Sequence, residues 1–503
     1  MGKEKVKKKR SIFGELIYYA NPAHLSQEVA GLGYTLSAKK TILSYLLFFV
    51  AAVIMGWLFQ LNAVMVIILA MTGFLFVPII IRNGYKNMFE QHRFSEVSEY
   101  MEHILYSFRS NHKILQSLNE VELSFREGPM YEAIQDAKKE IRNGDGKGGV
   151  ERNGLKVIED RYPCERLRAI HKFMVEVEYL GGSFDESIDL LLEDRMAWVD
   201  RTTAFQKDKK HQVINVLLSI GITVFICLLI QRALPETVSI ASNIIVQIVA
   251  LILLIGDMII YVITDSKMAT DWLETQNTLT DKQIETYYTR VISYDESKEK
   301  KKGLLMGIIL FALCGGIALL TKPFFLAVGA VFAIFCYFLP GIKYKSSKKS
   351  IENEIAIKFP QWLMEISLQL QSQNVQVALF NSIPSAPKVL KPELIKLKEK
   401  LDKTPESVIP YLDFMKDFNV PEIQSSMKML YSISEGTGGD SGKQIAEIIR
   451  RNNMLLDKSE KNAFDNVLAG MYGLFLAPQI IGGAKLLTDM MVFFVMFMTQ
   501  LTV

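Results

Sequence analysis

The chain has 503 residues, is half apolar and 22% charged, and carries a formal net charge of +3. That balance gives no basis for a polyelectrolyte role on nucleic acid, which needs a surplus of Lys and Arg. The four cysteines, Cys164, Cys227, Cys314 and Cys336, lack metal-ligand spacing, which excludes a disulfide framework and a structural zinc.

The N-terminal 1–41 reads as a basic cytosolic arm, with Lys3, Lys5, Lys7, Lys8, Lys9 and Arg10 crowded at its start. It is too polar for a cleavable signal peptide, and Val6 stands where myristoylation needs Ser or Thr. Crossing the hydrocarbon core takes about 20 apolar residues in a helix, and continuous apolar runs predict helices rather than barrel strands. Four hairpins follow, at 42–81, 212–263, 304–342 and 467–503. Their spans are Ile42–Leu58, Ala63–Ile81, Val213–Ile230, Ile240–Ile263, Leu304–Leu320, Phe324–Ile342, Val467–Ala484 and Leu486–Leu501. In the last hairpin Gly482, Gly483 and Lys485 mark the turn; a single broken helix is the alternative. Lys and Arg concentrate in the long connections, which assigns these and both termini to the cytoplasm. Asp257 and Asp489 fall within spans, where a carboxylate marks a functional site or a bond to a neighbouring helix.

The connections at 82–211 and 343–466 are each long enough for a helical domain with its own core, and 264–303 reads as a cytosolic linker. Phe94, Val97, Met101, Ile104, Leu105 and Phe108 form a helical stripe, as do Leu363, Ile366 and Leu370. The two domains align as an internal repeat. Glu178-Tyr-Leu-Gly181-Gly182 meets Glu435-Gly-Thr-Gly438-Gly439 at an offset of 257 residues, with Ile188 opposite Ile445 and Leu192 opposite Ile449. In each copy the glutamate closes one amphipathic helix and the glycines turn the chain into the next. Glu178 and Glu435 are also candidates for partner contact.

Two Gly-rich segments invite nucleotide readings and fail them. The G-x-G-x-x-G at Gly144–Gly149 follows a charged helix rather than a strand, and Thr437–Gln444 lacks both the first glycine and the Ser or Thr of a P-loop. The six histidines have no metal-binding spacing and no nucleophile elbow is present. The sequence therefore predicts no catalytic residues, metal or cofactor.

The helices at Phe173–Leu192 and Leu430–Ile449, with their Glu-x-x-Gly-Gly turns, and the Phe108–Ser110 and Leu370–Ser372 turns resemble the type II secretion F-domain family. These are the inner-membrane platform proteins of type II secretion, type IV pilus and Tad/Flp pilus systems. Where that family usually has a glycine in the first hairpin, this chain has Ser110-Asn111 and Ser372-Gln373. The resemblance covers about residues 40–503, and the span order looks most like the Tad/Flp branch with two subunits fused. It implies a non-enzymatic, all-α, polytopic inner-membrane scaffold with about eight transmembrane helices and two duplicated cytosolic bundles. It further implies a homo-oligomer that couples a cytosolic secretion ATPase to pilin-like subunits in the bilayer. Candidate ATPase-facing charges are Glu193, Asp194 and Arg195 in the first copy and Lys443, Arg450 and Arg451 in the second. A transporter of a small solute with a duplicated fold is the alternative.

Overall fold

The computed structural model describes residues 18–501 except 20, 145–148, 181–184, 235–239, 274–278, 321–323, 371–372, 419 and 437–440. All regular structure among them is helical. The first helices are α1 (Pro22–Gly31), α2 (Ala38–Leu58), α3 (Ala63–Asn111), α4 (Ile114–Glu122), α5 (Pro129–Asn143), α6 (Val150–Arg161), α7 (Glu165–Leu180), α8 (Asp185–Ala233) and α9 (Ile244–Ser266). They are followed by α10 (Asp281–Ile292), α11 (Glu296–Leu320), α12 (Phe324–Gln369), α13 (Val375–Ser382), α14 (Lys391–Lys403), α15 (Ile409–Asp413), α16 (Pro421–Ser434) and α17 (Ser441–Leu501).

The helices fall into two compact units. The first draws on Met1–Tyr100, Trp198–Glu274 and Ala463–Val503, the second on Met101–Ala197 and Thr275–Asn462. Helices α3, α8 and α17 contribute to both.

The first unit is built around apolar helices. Ala52, Phe59, Leu69, Val224, Cys227, Ala250 and Leu253 form its core, joined by Ile481 and Leu486. Its outside is equally apolar: Trp57 is 72% exposed, Ile480 73% and Met491 70%. A soluble protein does not expose such a contiguous apolar belt, whereas lipid requires one. Among the described residues five helices are long and apolar enough to cross a membrane: α2, α3, α8, α9 and the stretch Glu447–Gln500 of α17. The chain is accordingly a membrane protein. Main-chain groups at helix ends in this unit find side-chain partners, as lipid demands. Gln247 Oε1 accepts from Asn62 N at 3.3 Å, and Gln231 Nε2 donates to the Phe59 carbonyl at 3.2 Å.

One expectation needs correction here. Residues 467–503 do not form a hairpin, because α17 runs unbroken from Ser441 to Leu501. Gly482 makes no turn; it lets α17 approach α8, since a Cβ there would lie 2.2 Å from Thr223 Cγ2. Small residues serve this purpose in membrane helix packing. Within the N-terminal arm, α1, capped by Asn21 Oδ1 accepting from Ala23 N, buries Leu25 and Val29. Arg82 holds Glu28 of that helix at 2.9 Å. The 264–303 linker contains α10, which is tied down by Tyr288 donating to Glu393 Oε1 at 2.6 Å.

The second unit holds the helices between the apolar runs. Its amphipathic members follow the 3.6-residue period: Met130, Ala133, Ile134 and Ala137 of α5 are fully buried. So are Leu363 and Ile366 of α12 and Met427 and Leu430 of α16. Both α3 to α8 and α12 to α17 run from one long helix to another through four shorter ones. Helices α11 and α12 also belong to this unit and pack as a close pair. A Cβ on Gly307 would lie 2.9 Å from the Ala333 carbonyl. Their outer faces, including Leu305 and Val331, are exposed and apolar.

Candidate functional site

The glutamate of the first Glu-x-x-Gly-Gly turn caps a helix distant in sequence. Helix α4 begins after Lys113, whose side chain has no oxygen to accept from the first turn. Glu178 supplies one: its Oε2 accepts from Ile114 N at 2.8 Å, and its Oε1 lies 3.4 Å from Lys113 Nζ. Helix α13, which follows Asn374, is capped locally instead: Asn374 Oδ1 accepts from Val377 N at 2.9 Å. Glu435 instead closes α16 and is exposed. The two glutamates are therefore not equivalent. Gly181, Gly182, Gly438 and Gly439 lie outside the described residues.

This difference gives a direct test. Glu178→Ala should lower the unfolding free energy by about 1 kcal/mol, the usual worth of an N-cap. Adding Lys113→Asn, which copies the Asn374 arrangement, should recover most of the loss in chemical denaturation. No recovery in the double variant would mean that Glu178 acts otherwise than as a cap.

The charges expected to face an ATPase divide into two groups. Glu193, Arg450 and Arg451 are exposed, Arg451 pairing with Glu447 at 3.1 Å. Asp194 and Arg195 are engaged inside the bundle. Arg195 holds Glu102 at 2.7 Å. Asp194 is buried and accepts from Arg166 at 2.9 Å, and the same guanidinium reaches Glu460 at 2.8 Å. Burial pushes the Arg166 guanidinium toward the neutral form, but Asp194 and Glu460 outweigh it and raise its pKa. Lys443 begins α17, and its side chain lies outside the description.

Arg166 forms part of the floor of a cleft of about 710 Å³ lined by α7, α8, α10, α12 and the segment after α13. Trp362, buried and donating to Ser382 Oγ at 3.0 Å, supplies an apolar wall. The rim alternates in sign, with Arg168, Lys172, Lys358 and Lys388 among Glu176, Asp281 and Glu365. Lys172 pairs with Glu365, and Lys388 with Asp281. Burial raises the Glu176 pKa, opposed by Lys172 and reinforced by Glu365. Burial likewise raises that of Glu354, against the hydrogen bond from Leu279 N. Behind the cleft, His171 is fully buried with Nδ1 3.1 Å from Glu159 Oε1, and Arg152 grips both oxygens of that carboxylate. Burial lowers the His171 pKa and favours its neutral form. A mixed-charge cleft with one aromatic wall suits a polar protein surface better than a single-sign ligand.

In the first unit, Asp489 is fully buried and paired with Lys485, also fully buried, one helical turn earlier on α17. Gln231 Oε1 lies 3.4 Å from the Lys485 ammonium, and the Phe59 ring centroid lies 5.4 Å from it. Asp257 is buried on α9 with neither carboxylate oxygen hydrogen-bonded among the described residues. The structure thus gives Asp489 a partner and leaves Asp257 without a hydrogen bond. Arg166, Glu460 and Lys485 were not singled out as site residues. For Lys485 the i, i+4 spacing to Asp489 was the available signal.

The loop at Gly144–Gly149 is flanked by helices α5 and α6, not by a strand and a helix. No family model, curated protein or solved structure matches the chain.

Proposed function

We propose that the chain is an inner-membrane platform for assembly of a Tad or type IV-like pilus or a type II-like secretion pseudopilus. In this reading it passes work from a cytosolic secretion ATPase to pilin-like subunits. The supporting observation is that each run of four shorter helices, α4 to α7 and α13 to α16, is bounded by long helices that carry apolar runs. A displacement of such a helix is carried along its whole length, with no flexible linker to absorb it. The positive-inside rule assigns the helical connections to the cytoplasm. A single final crossing by α17, added to α2, α3, α8, α9, α11 and α12, makes the number of crossings odd. On that count the N-terminal arm is cytoplasmic and Leu501 lies on the opposite face, in place of the two cytoplasmic ends expected from eight spans.

The exposed charges Glu193, Arg450 and Arg451 are the contacts assigned to the ATPase. The combined variant E193K/R450E/R451E should keep the wild-type melting temperature, because all three side chains are exposed. It should reduce co-purification with the secretion ATPase of the same cell by about tenfold, or about 1.4 kcal/mol. Recovery equal to wild type would refute the assignment.

The buried Lys485–Asp489 pair and Asp257 favour a second reading, transport of a small solute, since intramembrane ionisable groups mark transport pathways. Solute flux in liposomes carrying the purified chain, abolished by Asp489→Asn, would support transport over the platform.

A further inference from the structure

A second cleft in the helical unit, of about 600 Å³, lies between α12 and the segment Leu455–Asn462 of α17. We infer that it binds the phosphate headgroup of an anionic phospholipid. Four lysines line it, Lys345, Lys348 and Lys349 from α12 and Lys458 from α17, against two carboxylates, Glu352 and Glu422. Among the described residues Lys348 and Lys349 have no carboxylate within ion-pair distance, and Lys458 pairs with Glu422 at 3.1 Å. The Ser459 hydroxyl also lines the cleft, is shielded from solvent, and has no hydrogen-bond partner among the described residues. It can donate to a phosphate oxygen.

Position and lining select a lipid over a free anion. The apolar run of α12 ends at Ile342, and its outer face, with Phe335, Phe338 and Ile342 exposed, is suited to acyl chains. At 1.5 Å per residue, Lys345 to Lys349 fall about 5–10 Å beyond that end, the depth of the headgroup layer. The floor is apolar, made by Ala356, Phe359, Val420 and Leu455. The volume greatly exceeds that of inorganic phosphate but lies in the range of sites for headgroup-sized ligands. Basic pockets beside membrane helices on the cytoplasmic side are the physical setting for such recognition. The inference rests on α12 crossing the bilayer and not on the platform reading.

The full chain, purified in detergent and equilibrated with equal amounts of phosphatidylglycerol and phosphatidylcholine, would be examined by native mass spectrometry. Wild type should retain phosphatidylglycerol in preference, and K345Q/K348Q/K349Q should lose that preference by about tenfold. The arginine counterpart K345R/K348R/K349R should keep it, and Ser459→Ala should reduce it in part. The arginine and alanine variants keep the test decisive should the glutamine variant fail to fold. Equal preference in wild type and the glutamine or alanine variants would overturn the inference. Inorganic phosphate stabilising wild type against heat as well as phosphatidylglycerol does would also overturn it, assigning the cleft to a free anion.

Discussion

Replacing Lys485 with leucine should lower the unfolding free energy by about 3–5 kcal/mol, the usual cost of leaving a buried charge without its partner. Asp489 is fully buried on the same helix, and its second carboxylate oxygen already lacks a hydrogen bond among the described residues. Removing the ammonium leaves an uncompensated anion among apolar side chains. Asp489→Leu should cost a similar amount through the stranded lysine. The double variant K485L/D489L should return close to wild type, because well-packed apolar residues often match or exceed a buried ion pair in stability. A double-mutant cycle of unfolding in detergent or bicelles reads the coupling. Single variants as stable as wild type would show that the pair is solvated and not part of the core.

Arg166→Leu should be as damaging, for a related reason. The guanidinium holds two carboxylates, Asp194 and Glu460, both buried in the bundle. Without it they are left close together with no shared cation, and repulsion adds to desolvation. A loss of about 3–5 kcal/mol is expected, and most of the secondary structure should survive because each helix keeps its apolar face. Converting both carboxylates to amides in the same background, R166L/D194N/E460Q, should recover a large part of the loss. Thermal unfolding followed by circular dichroism distinguishes the cases. A triple variant no more stable than Arg166→Leu would place the defect in lost packing of the arginine stem rather than in charge.

The helical class and five spans were legible because lipid imposes a length rule on uncharged segments that local sequence satisfies or fails. The last hairpin was misread because Gly482, Gly483 and Lys485 look like a turn when read locally. In the fold the glycine at 482 accommodates a neighbouring helix, and the lysine is neutralised one turn later. An amphipathic pattern separates apolar from polar positions but cannot show that a polar position, such as Asp194 or Arg195, faces a charged partner. Those partners, Arg166 for Asp194 and Glu102 for Arg195, lie on other helices. Glu178 lies in the last turn of α7, and the amide it caps belongs to Ile114, 64 residues away, which no local reading reveals. The Lys345–Lys349 cluster was visible as charge beside an apolar run; its closure into a cleft by Lys458 and Ser459 needed the packing of α17.

The unlike caps of α4 and α13 couple these two helices to the rest of the helical unit differently. Asn374 is next to the helix it caps, so α13 can be terminated as soon as its own first turn forms. Helix α4 acquires its cap only when the end of α7 has docked beside it, because Glu178 rides on α7. Each opening of α7 therefore releases the amide of Ile114 as well, joining the two helices into one cooperative opening unit. The cap of α13 makes no such link to α16. Hydrogen exchange should show the Ile114 amide exchanging at the rate of α7, while the Val377 amide exchanges independently of α16.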